Sequence, residues 1–146
     1  MPKPLALIVE DEYDLSFLLA QIVELAGYET EVIHSGDIAL DRLSKVTPDL
    51  VLLDLNLPKV LGTEILQHIR SDQRLHGICV VVVTAYKHLA EAVYEQADHV
   101  LNKPFEFDQL NQLIAMARTR VPAGNQIAEE RPHYLSELTP ERSSAQ

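Results

Sequence analysis

A single cysteine, Cys79, is the whole thiol content of the sequence, so no disulfide can form within the chain. It lies inside the apolar run Ile78–Val83 and reads as a small buried hydrophobe. Positive charge is also scarce. Twelve Lys and Arg stand against 22 Asp and Glu, for a net charge of −10 and a pI near 4.9. That balance argues against unaided binding to nucleic acid or to an anionic membrane surface. No apolar run approaches the roughly 18 residues that a membrane span needs. The opening MPKPLALIVEDE has too short an apolar stretch, and no small-residue cleavage pattern, for a signal peptide. A cytoplasmic, reducing setting is the expectation.

What the sequence does hold is greasy runs that end on polar residues. With 146 residues and 47% hydrophobic content there is chain for one ordinary domain with a sizeable core. Leu50–Leu53 runs without alternation into Asp54, as in a strand covered on both faces in a parallel sheet. Leu5–Val9 ends on Glu10, Asp11 and Glu12, and Ile78–Val83 ends on Thr84. Tyr28–Ile33 alternates partially and reads as an edge strand, and the short, equally edge-like His99–Asn102 ends on Lys103–Pro104.

Helical spacing fills the gaps between these runs. Leu15, Leu18, Leu19, Ile22 and Ala26 precede Gly27, which stands where a helix-terminating glycine would. Ser35 is a candidate N-cap for a helix with Ile38, Ala39, Leu43 and Val46 on one face. Ile65, Leu66 and Ile69 mark a third helix and Lys87–Gln96 a thin-faced fourth. Phe107–Arg118, with Leu110, Leu113, Ile114 and Ala117 in register, is the clearest. Alternating strands and helices predict an α/β doubly wound, five-stranded parallel sheet of flavodoxin-like order 2-1-3-4-5, with helices on both faces. Residues 1–119 form the expected domain. Residues 120–146 read as a C-terminal tail in which Pro132, Tyr134, Leu135 and Leu138 could form a short docking helix.

In that order the first, third, fourth and fifth strands lie side by side, and their carboxyl ends bring Glu10, Asp11, Asp54, Thr84 and Lys103 to one pocket. Each residue alone has a bland reading: Glu10 and Asp11 as helix-start charges, Thr84 as a strand end, Lys103 as a solvated charge, Asp54 as a loop residue. Together, at successive strand ends, they form a pattern that accident does not explain. Three carboxylates within about 4 Å of one another repel by roughly 4 kcal/mol per pair at an effective dielectric near 20. A hard divalent cation such as Mg²⁺, together with the Lys103 charge, would offset that. Asp54 would then be free to act as a nucleophile toward a phosphoryl group, with Thr84 as the mobile hydroxyl donor.

These segments resemble the receiver domains of two-component response regulators, the CheY-like superfamily. LIVEDE resembles the family's acidic opening, LLDLNLP with Gly62 its phosphoacceptor segment, and VVVTA and LNKPF its threonine and lysine motifs. The likeness runs from about Leu5 to Arg118. It implies that Asp54 accepts phosphate from a sensor histidine kinase or phosphotransfer protein. It implies Mg²⁺ (or Mn²⁺) held by Asp11, by Glu10 through water, by Asp54 and by the backbone carbonyl of Asn56. Thr84 and Lys103 would contact the phosphoryl group, Ala85 would leave room for it, and Lys103–Pro104 would be cis. In two places the chain departs from the pattern: Glu10 stands where aspartate is commoner, and Val100 where an aromatic often swings inward.

With no output domain visible after it, and an acidic tail, the chain reads as a stand-alone, non-enzymatic regulator. It would signal by protein contact, including a possible homodimer through the face of the fourth helix, fifth strand and fifth helix, with no nucleic-acid or membrane partner. A phosphatase of the aspartyl-phosphate class is disfavoured because Asn56 replaces its usual second acid. A flavin or nucleotide module is disfavoured by the acidic loops, and a receiver-like scaffold that is never phosphorylated by the intact set Asp11, Asp54, Thr84 and Lys103.

Overall fold

The computed structural model describes residues 2–119 and 133–134. The elements run β1 (Leu5–Val9), α1 (Tyr13–Leu25), β2 (Glu29–Ile33), α2 (Gly36–Leu43), β3 (Leu50–Leu53), α3 (Gly62–Ser71), a 3-10 turn (Gln73–Leu75), β4 (Cys79–Thr84), α4 (Lys87–Ala92), β5 (His99–Asn102), α5 (Phe107–Thr119) and β6 (His133–Tyr134). All pairings are parallel, and the sheet order is β2-β1-β3-β4-β5-β6. The first five strands take the expected 2-1-3-4-5 order.

The unbroken apolar runs are explained by two cores, one on each side of the sheet. Leu7, Val9, Val51, Leu53, Val80, Val82 and Val100 face one way, onto Ala39 and Leu43 of α2, Ile65, Leu66 and Ile69 of α3, and Ala90 of α4. The intervening residues Ala6, Ile8, Leu50, Leu52, Cys79, Val81, Val83 and Leu101 face the other way, onto α1 and α5. Successive side chains alternate across a strand, so a strand covered on both faces must be apolar at every position. Every residue of β3 and β4 is buried accordingly. β2, at the sheet's edge, keeps Glu29 and Val32 exposed.

Several local expectations are corrected. The buried stripe of α1 is Ser16, Leu19, Ala20, Ile22 and Val23, and Leu18, expected inside, is 46% exposed. Ser16 is tolerated there because its hydroxyl donates to the Tyr13 carbonyl at 2.8 Å. Ile38 is likewise exposed, leaving Ala39 and Leu43 to seat α2. Ser35 takes the N-cap position, but its hydroxyl donates to the Asp37 carboxylate at 2.7 Å and caps no amide. Gly27 does end α1 in the left-handed region, at φ 103°.

The fourth helix stops at Ala92, short of the expected Gln96. Val93 leaves helical geometry at φ −112° and ψ 10°. Beyond it, Arg70 draws the Gln96 carbonyl away at 2.7 Å. Arg70 also donates to the His76 and Ile78 carbonyls and to Asp98. A guanidinium has five N–H donors in a fixed fork, enough to fasten the loop before β5 to the end of α3.

Tyr134, assigned to a possible docking helix, lies instead in β6, whose residues pair in register with His99 and Val100. The open edge of β5 supplies unpaired backbone groups, and a two-residue strand satisfies some of them. Pro132, Leu135 and Leu138 lie outside the described residues. β5 is therefore not the outermost strand over its first half.

Gly62 opens α3 directly against the strand that carries Asp54. A Cβ there would lie 2.3 Å from the Asp54 carbonyl oxygen and 2.6 Å from the Leu55 Cα. Backbone cannot yield as a side chain does. Gly62→Ala is therefore expected to destabilise the fold by about 3 kcal/mol, at the upper end of overpacking costs. Urea titration followed by circular dichroism measures this, and a midpoint equal to wild type would contradict the close packing.

Candidate functional site

Because the strands are parallel, one edge of the sheet receives the residue that follows each run. β1 delivers Glu10 and Asp11, β3 delivers Asp54, β4 ends in Thr84, and β5 leads into Lys103. The registers Val9↔Leu53 and Leu53↔Val82 put these ends level, with Thr84 beside Asn102. All five predicted side-chain positions thus gather at one end of the sheet. One carboxylate oxygen each from Glu10, Asp11 and Asp54 can be chosen so that all lie within 4.8 Å of one another.

The environments of the three acids differ. Glu10 is 1% exposed and Asp54 5% exposed, whereas Asp11 faces solvent. Lys103 Nζ lies 2.9 Å from Glu10 Oε1 and 3.6 Å from Asp54 Oδ2. Asp54 Oδ1 accepts the Asn56 amide at 3.1 Å, and Glu10 Oε2 accepts the Glu12 amide at 3.2 Å. The buried carboxylates are therefore held by one cation and two backbone donors. Lys103 closes the cluster through the Lys103–Pro104 peptide, which is cis as the resemblance implied.

Burial dominates the electrostatics. Desolvation pushes the Glu10 carboxyl up to about 7, with the neighbouring Asp54 charge adding to the rise and the Lys103 and Glu12 hydrogen bonds opposing it. Asp54 is also raised, again first by burial, against the Asn56 amide and the Lys103 charge. Burial would lower Lys103, but its bond to Glu10 and the nearby acids outweigh that, and it is held above the usual lysine range. The site is thus rich in negative charge and short of positive charge, in a setting that strengthens both attraction and repulsion. A hard cation with oxygen ligands fits this donor set.

Thr84 is fully buried, and its hydroxyl oxygen accepts the Tyr86 amide at 3.0 Å. The Asn56 side-chain amide donates to the Tyr86 hydroxyl at 3.2 Å, linking the loops after β3 and β4 across the mouth. Ala85, between them, is exposed, and Val100 is wholly buried in the apolar core. One contributor escaped the sequence reading. β2 also ends at this edge, and its next residue, His34, places Nδ1 3.0 Å from the Glu10 carbonyl oxygen. The signal was present: a histidine one position past a strand whose parallel neighbours all end in functional groups.

Similarity to known proteins covers the same frame. The response regulator receiver domain family matches residues 6–115. Sporulation initiation phosphotransferase F of Bacillus subtilis is 34% identical over 113 residues, which is 74% of this chain and 88% of that protein. The DNA-binding dual master transcriptional regulator RpaA of Synechocystis is 32% identical over 148 aligned positions, 97% of this chain and 61% of that protein. For the regulatory protein AtoC of Escherichia coli the identity is 33%, over 76% of this chain and 24% of that protein. The chain therefore spans less than two thirds of the length of these last two relatives. Among solved structures, the bacteriophytochrome response regulator RtBRR superposes with a TM-score of 0.68 at 34% identity, over 86% of this chain and 84% of that one. The response regulator protein TrrA from Thermotoga maritima, in complex with Mg(2+)-BeF, gives 0.70 at 28% identity, over 78% and 98%.

The raised Glu10 carboxyl has a pH consequence. The folded chain holds this proton between the ordinary value of 4.5 and about 7, where the unfolded chain has lost it. Its contribution to stability is full below 4.5 and is lost as pH rises through 7. Without added metal, Glu10→Gln should therefore gain on wild type by on the order of 2 kcal/mol between about pH 5 and about pH 8. Urea unfolding at both pH values measures the gap, and a gap that does not change with pH would refute the assignment.

Proposed function

Because the chain belongs to the response regulator receiver domain family, we propose that it is a phosphoacceptor of two-component signalling whose acceptor group is Asp54. The observation that carries this reading is the state of Asp54: a carboxylate 5% exposed at a strand end, with one oxygen fixed by the Asn56 amide and the other facing Lys103. A solvated loop carboxylate needs neither partner. A nucleophile must keep one oxygen oriented and balance the charge that arrives with the phosphoryl group.

In the proposed step an Asp54 oxygen bonds to the donor's phosphorus as the bond from phosphorus to the leaving nitrogen or oxygen breaks. The leaving group departs with that electron pair, an acetate as the anion and an imidazole taking a proton from solvent, and an acyl phosphate remains. Lys103 moves its charge toward the phosphoryl oxygens as its partner Asp54 becomes esterified. The Thr84 hydroxyl, now an acceptor for the Tyr86 amide, still has its own hydrogen to give to a phosphoryl oxygen. Ala85, with only a methyl side chain, leaves room beside it. Glu10, Asp11, Asp54 and the Asn56 carbonyl would hold Mg²⁺ or Mn²⁺, which when bound supplies the positive charge that the equatorial oxygens require.

The donor would be a sensor histidine kinase or a phosphotransfer protein. Product turnover would be slow, since Asn56 offers no acid where a hydrolase would carry one. We assign the output to a protein-contact face built of α4, β5 and α5, including contact with a second copy. The phosphoryl group carries roughly −1.5 to −2 charge next to Thr84. α4 is short and seated on few apolar side chains, so it can shift at low cost.

Incubation with acetyl phosphate and Mg²⁺, read by intact mass, tests the core of this. Wild type should gain one phosphoryl group and Asp54→Asn none; labelling that survives Asp54→Asn would overturn the reading. Lys103→Met should slow labelling by about 100-fold, as expected for removing one preorganised charge at the reacting oxygens. Excess EDTA should abolish labelling in wild type.

A further inference from the structure

His34 has a surrounding that its place on an edge strand does not require. It follows β2, and β2 contributes no other side chain to the acidic cluster. Its Nδ1 lies 3.0 Å from the carbonyl oxygen of Glu10. A carbonyl can only accept, so Nδ1 carries the hydrogen and donates. The ring lies flat on Tyr13, with centroids 3.9 Å apart and planes 11° from parallel. Tyr13 is in turn fixed at the start of α1, where its carbonyl accepts the hydroxyl of buried Ser16.

The bond matters because of which peptide it holds. The Glu10 carbonyl and the Asp11 amide belong to one rigid plane. On the near side, the Glu10 amide donates to the Ile33 carbonyl at 2.9 Å, so residue 10 is tied to the end of β2 on both sides of its Cα. Asp11 itself is exposed, and among the described residues no hydrogen bond or ion pair holds its carboxylate. The direction in which Asp11 leaves the chain is therefore set by the backbone, and the backbone there is set by the imidazole.

We propose that His34 is a positioning residue for cation binding: by donating Nδ1–H to the Glu10 carbonyl from a ring clamped against Tyr13, it aims the Asp11 carboxylate at the metal position. This inference rests on the reading of Glu10, Asp11 and Asp54 as a metal site, and it adds to that reading a residue that follows the edge strand β2, which the motif omits. Outer-shell groups of this kind typically account for about 10-fold to 100-fold in metal affinity.

The test is direct Mn²⁺ binding to the full chain, read from the electron paramagnetic resonance of free Mn²⁺, with acetyl phosphate labelling measured separately. His34→Phe keeps an aromatic ring against Tyr13 and removes the donor; its Kd should rise about 10-fold. His34→Asn restores a donor near the Nδ1 position and should bind more tightly than His34→Phe. At saturating Mn²⁺ the labelling rate of His34→Phe should return to that of wild type, which a general loss of folding would not allow. An unchanged Kd in His34→Phe, or His34→Asn no better than His34→Phe, would overturn the proposal. If His34→Phe loses its cooperative unfolding transition, Tyr13→Ala releases the ring from the surface side, and an unchanged Kd there counts equally against it. The binding arm does not depend on phosphorylation. A wild-type chain that binds Mn²⁺ and loses it in His34→Phe, yet is never labelled, would sink the phosphoacceptor reading and leave this one standing.

Discussion

The structure depends on one ammonium group placed between two acids that have left water. Lys103 reaches back from the end of β5, 93 residues along the chain from Glu10, to bond one carboxylate and face the other. Breaking such a buried contact from one side leaves an uncompensated charge, typically a cost of about 3–5 kcal/mol. The sheet order makes the contact possible, because β1 and β3 are neighbours and β4 alone separates β3 from β5. The contact in turn explains why two acids can sit on a dry sheet edge at all. Lys103 does not neutralise the cluster, however: one cation faces three carboxylates. The remaining deficit is what suits the edge to an added cation.

Most of this frame was legible because the chemistry and the hydrophobic pattern coincide. Three short apolar runs with no alternation suited strands covered on both faces, and each ended on a residue such a strand would reject. Glu10, Asp54 and Thr84 were visible as interruptions, and Lys103 through the proline beside it. Helix faces were less legible. Leu18 and Ile38 are as apolar as Leu19 and Ala39, and only the angle at which each helix meets the sheet decides which is covered. Residues that act through the backbone were harder still to read, and only the place of His34 after β2 gave a signal. His34 bonds a carbonyl oxygen and Arg70 bonds three beside the Asp98 carboxylate, and a carbonyl looks the same at every position of a sequence.

Nor could the sequence alone show where α4 would stop or that β5 would gain a neighbour. Both outcomes are settled by long-range partners: Arg70 for the loop after α4, and the free ladder of β5 for His133 and Tyr134. A two-residue strand has no periodicity to detect, and its existence depends on the edge it joins. Val100 belongs to the same group of context-bound facts. Buried in the core beneath α4 and paired to Tyr134 in the ladder, it is part of the wall, so whatever moves in this region is not a side chain at that position.

α4 and its trailing turn form a short bridge with unequal ends. At the near end, the amide of Tyr86 rests on the Thr84 hydroxyl, and the Tyr86 hydroxyl accepts the Asn56 side-chain amide. At the far end, Gln96 and Asp98 are pinned by a guanidinium that also grips the base of β4. The far end is thus fastened by a charged fork, and the near end by neutral hydrogen bonds at Tyr86. The eleven residues from Tyr86 to Gln96 run the depth of the sheet, and the Arg70 anchor lies at the opposite end of it from the carboxylates.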